Sequence, residues 1–201
     1  MKWTTQVSDT QVIYPGEPPL KSGDSYLLTV EADTGVSSLD EPVRVGGINF
    51  TILEAQKAQE IRTQAAQIAQ QPWSEEAKAI AVANLYSENG LNGDAIAILE
   101  VSGIHTAPIY RQIGDLYFNY MALIPQAKEY YAKAIEVADS NDIEEQTQIQ
   151  YGLGKVETAL GNKAEAIHWF TLALKGYQIL GFSERIDEVE RHLRELNDDG
   201  K

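Results

Sequence analysis

The chain has 201 residues, 30 of them acidic against 16 basic for a net charge of -14, and no cysteine. That length suits one domain, or one domain with a smaller partner, and is ample for a sizeable core. The acidic excess runs along the whole chain and repels phosphate backbones and anionic lipid surfaces, which argues against nucleic acid and membrane partners; the missing cysteines exclude disulfides, thiolate metal sites and a thiol nucleophile.

The N-terminus, Met1-Lys2-Trp3-Thr4, has no apolar core of a signal peptide, and no run approaches the roughly 18 apolar residues of a membrane span. The expectation is a soluble chain, cytoplasmic by default, with an extracytoplasmic place left open if it is a fragment of a longer protein.

Residues 1–52 read as a small β-rich segment. Turn formers at Tyr14 to Pro19, Lys21 to Asp24, Asp33 to Gly35 and Gly46-Gly47 separate four strand-like runs: Trp3 to Val7, Gln11 to Tyr14, Ser25 to Glu31 and Ile48 to Leu53. In the third run Tyr26, Leu28 and Val30 share one face, as in a half-buried strand. Pro18 to Ala32 faintly resembles the later strands of fibronectin type III or immunoglobulin-like sandwiches. Such a sandwich needs about seven strands. The segment is therefore either part of a truncated sandwich, the preferred reading, or a small hairpin sheet packed on the first helices.

From Leu53 helical spacing replaces alternation. Leu53, Ile61, Ala65 and Ile68 stripe a leader helix reaching about Gln70. Pro72-Trp73-Ser74 stops it and caps a second helix, with Glu75 and Glu76 in its first turn and Asn89-Gly90 at its end. A short helix follows from about Gly93 to Val101. Pro108 and Pro125 belong in first turns, and Asp142 with Glu145 and Asn162 with Glu165 have capping-box spacing. The helix from Lys163 to about Ile179 is apolar nearly all round and needs cover on two sides. The helix opening at Ser183 supplies it through Ile186, Val189, Leu193 and Leu196, with its other face strongly charged.

One pattern repeats through this stretch. Tyr110-x-x-Ile113-Gly114-x-x-Tyr117 with Ala127-x-x-x-Tyr131-x-x-Ala134 returns as Leu153-Gly154 with Ala166-x-x-x-Phe170-x-x-Ala173, and weakly as Ala83, Tyr86 and Ala95. It resembles the tetratricopeptide repeat (TPR), a helix pair of about 34 residues that stacks into a superhelix. The aligned alanines 95, 127 and 166 are 32 and 39 residues apart. One residue is inserted between the helices of the second repeat, and extra residues lie around Ser140 to Glu144. An unrelated antiparallel bundle with small residues at its crossings is the alternative. The expected fold is mainly α: a helical array over 53–201, with degenerate repeats at 74–103, 107–139 and 143–178 and a capping helix at 183–197.

The resemblance implies a non-catalytic scaffold that binds a protein or peptide on its concave face. In the repeat frame the inward positions include Asn84, Glu88, Arg111, Asp115, Asn119, Tyr151 and Lys155, with Ile80, Ser87, Phe118 and Thr158 beside them. Arg111→Ala and Asn119→Ala are expected to weaken a partner without unfolding the array. TPR domains that clamp a chaperone's C-terminal carboxylate carry Lys, Asn, Asn, Lys and Arg at set positions. The matching residues here are Ile80, Asn84, Gln112, Gln148 and Gly152, so that function is rejected. His105, His168 and His192 are scattered, and Glu144-Glu145 and Asp187-Glu188 with Glu190 read as helix surface. No cofactor or metal is called for, and no nucleophile elbow or phosphate-binding loop is present. The competing function is a structural spacer or self-association domain of a larger, exported protein.

Overall fold

The computed structural model describes residues 3–8, 14–35, 37 and 49–198. They fall in two compact units, Met1–Gln64 and Ala65–Lys201, so the division lies beyond the change of periodicity at Leu53.

In the first unit β1 (Ser25–Leu27) pairs antiparallel with β2 (Asn49–Thr51), setting Tyr26 opposite Phe50. Their rings stack at 5.6 Å. Gly23 reaches φ +81° in the turn before β1, and its N–H donates to the Ile52 carbonyl at 2.8 Å, prolonging the pairing. The expected strand over Ser25 to Glu31 is only three residues long, the same length as β2, and Leu28 and Val30 beyond it are exposed. Trp3 to Val7 is not a strand. Gln11 to Ile13 and Gly46-Gly47 lie outside the described residues. A second sheet is absent among the described residues, and the sandwich gains no support from them.

Helix α1 (Ala55–Ala69) buries Ile61, half-buries Ala58, Ala65 and Ile68, and is exposed at its other positions. In the second unit α2 (Glu75–Glu88) starts where the Ser74 hydroxyl accepts from the Ala77 N–H at 3.1 Å, and the chain leaves it through Gly90 at φ +76°. There follow α3 (Asn92–Val101), α4 (Ala107–Leu116), α5 (Ile124–Val137), α6 (Ile143–Ala159), α7 (Lys163–Leu180) and α8 (Ser183–Asp198). Pro108 and Pro125 occupy first turns as expected. Asp142 Oδ1 accepts from the Glu145 N–H at 3.0 Å. The Asn162 side chain makes no such cap and instead donates to Glu157 at 2.7 Å.

The pairs are α2 with α3, α4 with α5 and α6 with α7, and α8 covers α7. The first helices, α2, α4 and α6, also touch in succession and form one face of a TPR-like solenoid. Three apolar clusters fill it, around Ala83, Leu99 and Ile113, around Ala127, Tyr131 and Val156, and around Phe170, Tyr177 and Val189. Small residues mark the crossings for a steric reason. A Cβ on Gly152 would run into the Tyr131 ring, and one on Gly154 into the Phe170 ring.

Between the helices of the second repeat, where the repeat frame counts one extra residue, the backbone is irregular. After Leu116, α4 widens into a π turn over Tyr117–Met121 and ends at Ala122 in the left-handed region, φ +52°.

Candidate partner-binding groove

Because α2, α4 and α6 lie side by side, side chains about one turn apart on each helix converge on their shared face. They line a groove of about 610 Å³. All seven residues expected on the concave face are there: Asn84 and Glu88 from α2, Arg111 and Asp115 from α4, Asn119 from the π turn, and Tyr151 and Lys155 from α6. Ser87 joins them. Ile80 instead packs against the first apolar cluster, and the Thr158 hydroxyl donates to the Gly154 carbonyl at 2.8 Å.

Amides are prominent in the lining. Gln112 Nε2 donates to Asn84 Oδ1 at 2.7 Å, tying α4 to α2, and Gln148 and Asn119 add two more amide groups. The cations differ from one another. Arg111 donates from Nε to Glu145 at 2.7 Å and from Nη1 to Asp115 at 3.1 Å. Asp115 in turn accepts from the buried Tyr131 hydroxyl at 2.6 Å. This network joins α4, α5 and α6, and its pairing of Arg111 with a Glu145 side chain only 10% exposed is structural. Removing Arg111 would strand that carboxylate, so Arg111→Ala is expected to perturb the array as well as the groove, where the sequence alone led to an effect on the groove only. Glu145 is likewise no surface residue. Burial first, and then the adjacent Asp115 carboxylate, push the Tyr131 phenol well above its ordinary range.

Lys155 stands apart. Its ammonium lies 4.8 Å from the Phe118 ring centroid and 5.3 Å from that of Tyr151, with one long hydrogen bond of 3.4 Å to Asn119 Oδ1. Burial pushes its pKa down, and the charges of Asp115 and Glu188 pull partly the other way.

One wall was missed from sequence. Phe182 and the α8 residues Arg185 and Glu188 line the groove, with Tyr177 of α7 beside them. The Tyr151 hydroxyl donates to Glu188 Oε1 at 2.7 Å, and Arg185 donates to Glu188 Oε2 at 2.8 Å. So the charged face of α8 is not wholly given to solvent. The periodicity of α8 put Arg185 and Glu188 on one side; no spacing rule identified Tyr151 as their partner. The three histidines stay apart: His105 meets the Tyr110 hydroxyl, His168 lies edge-on to Trp169, and His192 stacks on Phe170 at 5.0 Å. No described group of three or more His, Asp or Glu side chains is gathered as a metal site requires, and no described helix is long and apolar enough to cross a membrane.

No protein-family model matches the chain, and no curated protein does. Among solved structures, a crystal structure of MamA is similar at 20% identity, covering 71% of this chain and 91% of its own, with a TM-score of 0.46. A second MamA structure, from MSR-1, gives 18% identity, coverage of 72% and 91%, and a TM-score of 0.44. A Podospora anserina kinesin light chain protein with nearly identical TPR-like repeats gives 16%, 73% and 88%, and 0.43. At such values the likeness carries no argument about function. The TPR-like character rests on the helix pairs and their small-residue crossings.

Proposed function

We propose that this chain is a non-catalytic interaction module that holds an extended segment of a protein partner in the groove of α2, α4 and α6. The observation that supports this is the lining. In a chain of net charge -14, the groove gathers Arg111, Lys155 and Arg185 against Glu88, Asp115 and Glu188, and sets amides and aromatic rings between them. Amide side chains suit the alternating donors and acceptors of an extended backbone, and rings suit its side chains.

The test is a pull-down with the chain as bait, comparing wild type with the Gln112→Ala/Asn119→Ala double variant and with Lys175→Ala on the exposed side of α7. A partner lost in the double variant and kept by Lys175→Ala is expected. A partner indifferent to both substitutions would count against the groove.

One observation favours self-association as a second reading. Val82, Ile98, Val101 and Ile104 line a depression of about 840 Å³ at the first repeat, and Val101 is 85% exposed. Mass that rises with concentration in sedimentation, and falls with Val101→Glu, would favour it.

A further inference from the structure

The groove holds three cations, and the chain answers only two of them with carboxylates. Arg111 is met by Glu145 and Asp115, and Arg185 by Glu188. Among the described residues no carboxylate lies in ion-pair distance of Lys155. Its ammonium has lost part of its water, and in exchange receives two ring faces and one distant amide oxygen. A partly desolvated ammonium in that setting lacks the partner that would offset its burial most, an anion.

The second half of the subsite comes from the π turn. That turn carries Phe118, whose ring lies under the ammonium, and Asn119, beside it. Asn119 directs Oδ1 at Lys155, and its amide N–H groups meet no acceptor among the described residues. Neither of the other first helices has such a turn, and π turns are frequent at functional sites.

We propose that Lys155, with the Asn119 amide beside it, receives the side-chain carboxylate of one Asp or Glu in the segment held by the groove. This rests on the groove being the partner site. The rest of the field limits the partner's chemistry. Asp115 and Glu188 are close enough to act on Lys155, and the whole chain is strongly acidic, so a run of acids is repelled. The segment is therefore neutral or basic overall, with a single acidic side chain opposite Lys155.

The probe is a positional-scanning set of capped hexapeptides on an Ala/Ser background. Each position is fixed in turn as Asp, Glu, Asn, Gln, Lys or Ala, and binding is measured to the full chain. We expect an acid at one position to be preferred over its amide about ten-fold. That preference disappears in Lys155→Met, persists in Lys155→Arg, and falls by roughly three-fold in Asn119→Ala. Hexaglutamate binds more weakly than the best singly acidic peptide. Circular dichroism and thermal melting establish that the variants fold. Peptides that bind without any acid preference, or whose preference survives Lys155→Met, overturn the Lys155 subsite and leave the groove standing. Peptides that bind the Gln112→Ala/Asn119→Ala variant as well as wild type, or a set in which nothing binds, overturn the groove reading and this one with it.

Discussion

Helix α6 shows two faces that obey different rules. One carries Gly152, Leu153, Gly154 and Val156, all buried, and accepts the Tyr131 and Phe170 rings at closest approach. The other carries Gln148, Tyr151 and Lys155 and looks into the groove. On the first, shape decides: there is no room for a methyl group. On the second, charge pairing decides, and the pairing is incomplete. The lesson is that packing fixes where the groove stands, while its chemistry is left free to vary.

Substitutions on the two faces separate these rules. Phe170→Ala, at a fully buried ring, is expected to cost about 3–5 kcal/mol in guanidinium unfolding. Gly152→Leu forces a side chain against Tyr131 and is expected to cost about 3 kcal/mol, with binding lost only through unfolding. Arg111→Ala falls between the faces. It strands Glu145 and is expected to cost roughly 2 kcal/mol, less than a fully buried pair because Arg111 keeps some exposure. If it costs nothing, the Arg111–Glu145 pair is a groove feature and not a structural one.

Tyr151→Phe removes the hydroxyl that donates to Glu188 and is expected to cost about 1 kcal/mol. Burial pushes the Glu188 carboxyl up, but the hydrogen bonds from Tyr151 and Arg185 prevail and hold it below its ordinary value of 4.5. A carboxyl depressed in the folded state lends stability above its unfolded pKa and loses it as pH falls through the folded one. Wild type therefore weakens below about pH 4.5, and Tyr151→Phe shows a shallower acid loss in urea titrations across that window.

Lys155→Met should have the smallest effect and the opposite sign. Burial lowers the Lys155 pKa, so keeping it charged costs stability at neutral pH, and the methionine is expected to raise the midpoint of urea unfolding slightly. The gain should shrink as pH rises towards the ordinary lysine value, where wild type sheds the charge. A loss of stability instead would make Lys155 a structural residue and blur the contrast between the faces.

The repeat pattern was legible because small residues at Ala83, Gly114 and Gly154, and rings at Tyr131 and Phe170, are local consequences of helix crossing. Helix phase then brought the seven concave-face residues into one groove without any knowledge of contacts. What phase could not supply was pairing across distance. Arg111 looked available because Glu145, 34 residues away, seemed to be surface, and α8 looked like plain cover because the Tyr151 to Glu188 link spans 37 residues. The β segment was less legible still, since three-residue strands are held by partners and turns more than by alternation.

The π turn over Tyr117–Met121 bears on how irregularity at the groove is separated from the core behind it. An added residue in a regular helix rotates everything beyond it by about 100° and would carry a buried face into water. Here the widened turn closes α4 at a left-handed Ala122, and the next helix, α5, buries Ala127, Tyr131 and Ala134 against the array. Irregularity at the rim of the groove is thus kept apart from the packing behind it, which stays regular from α5 into α6.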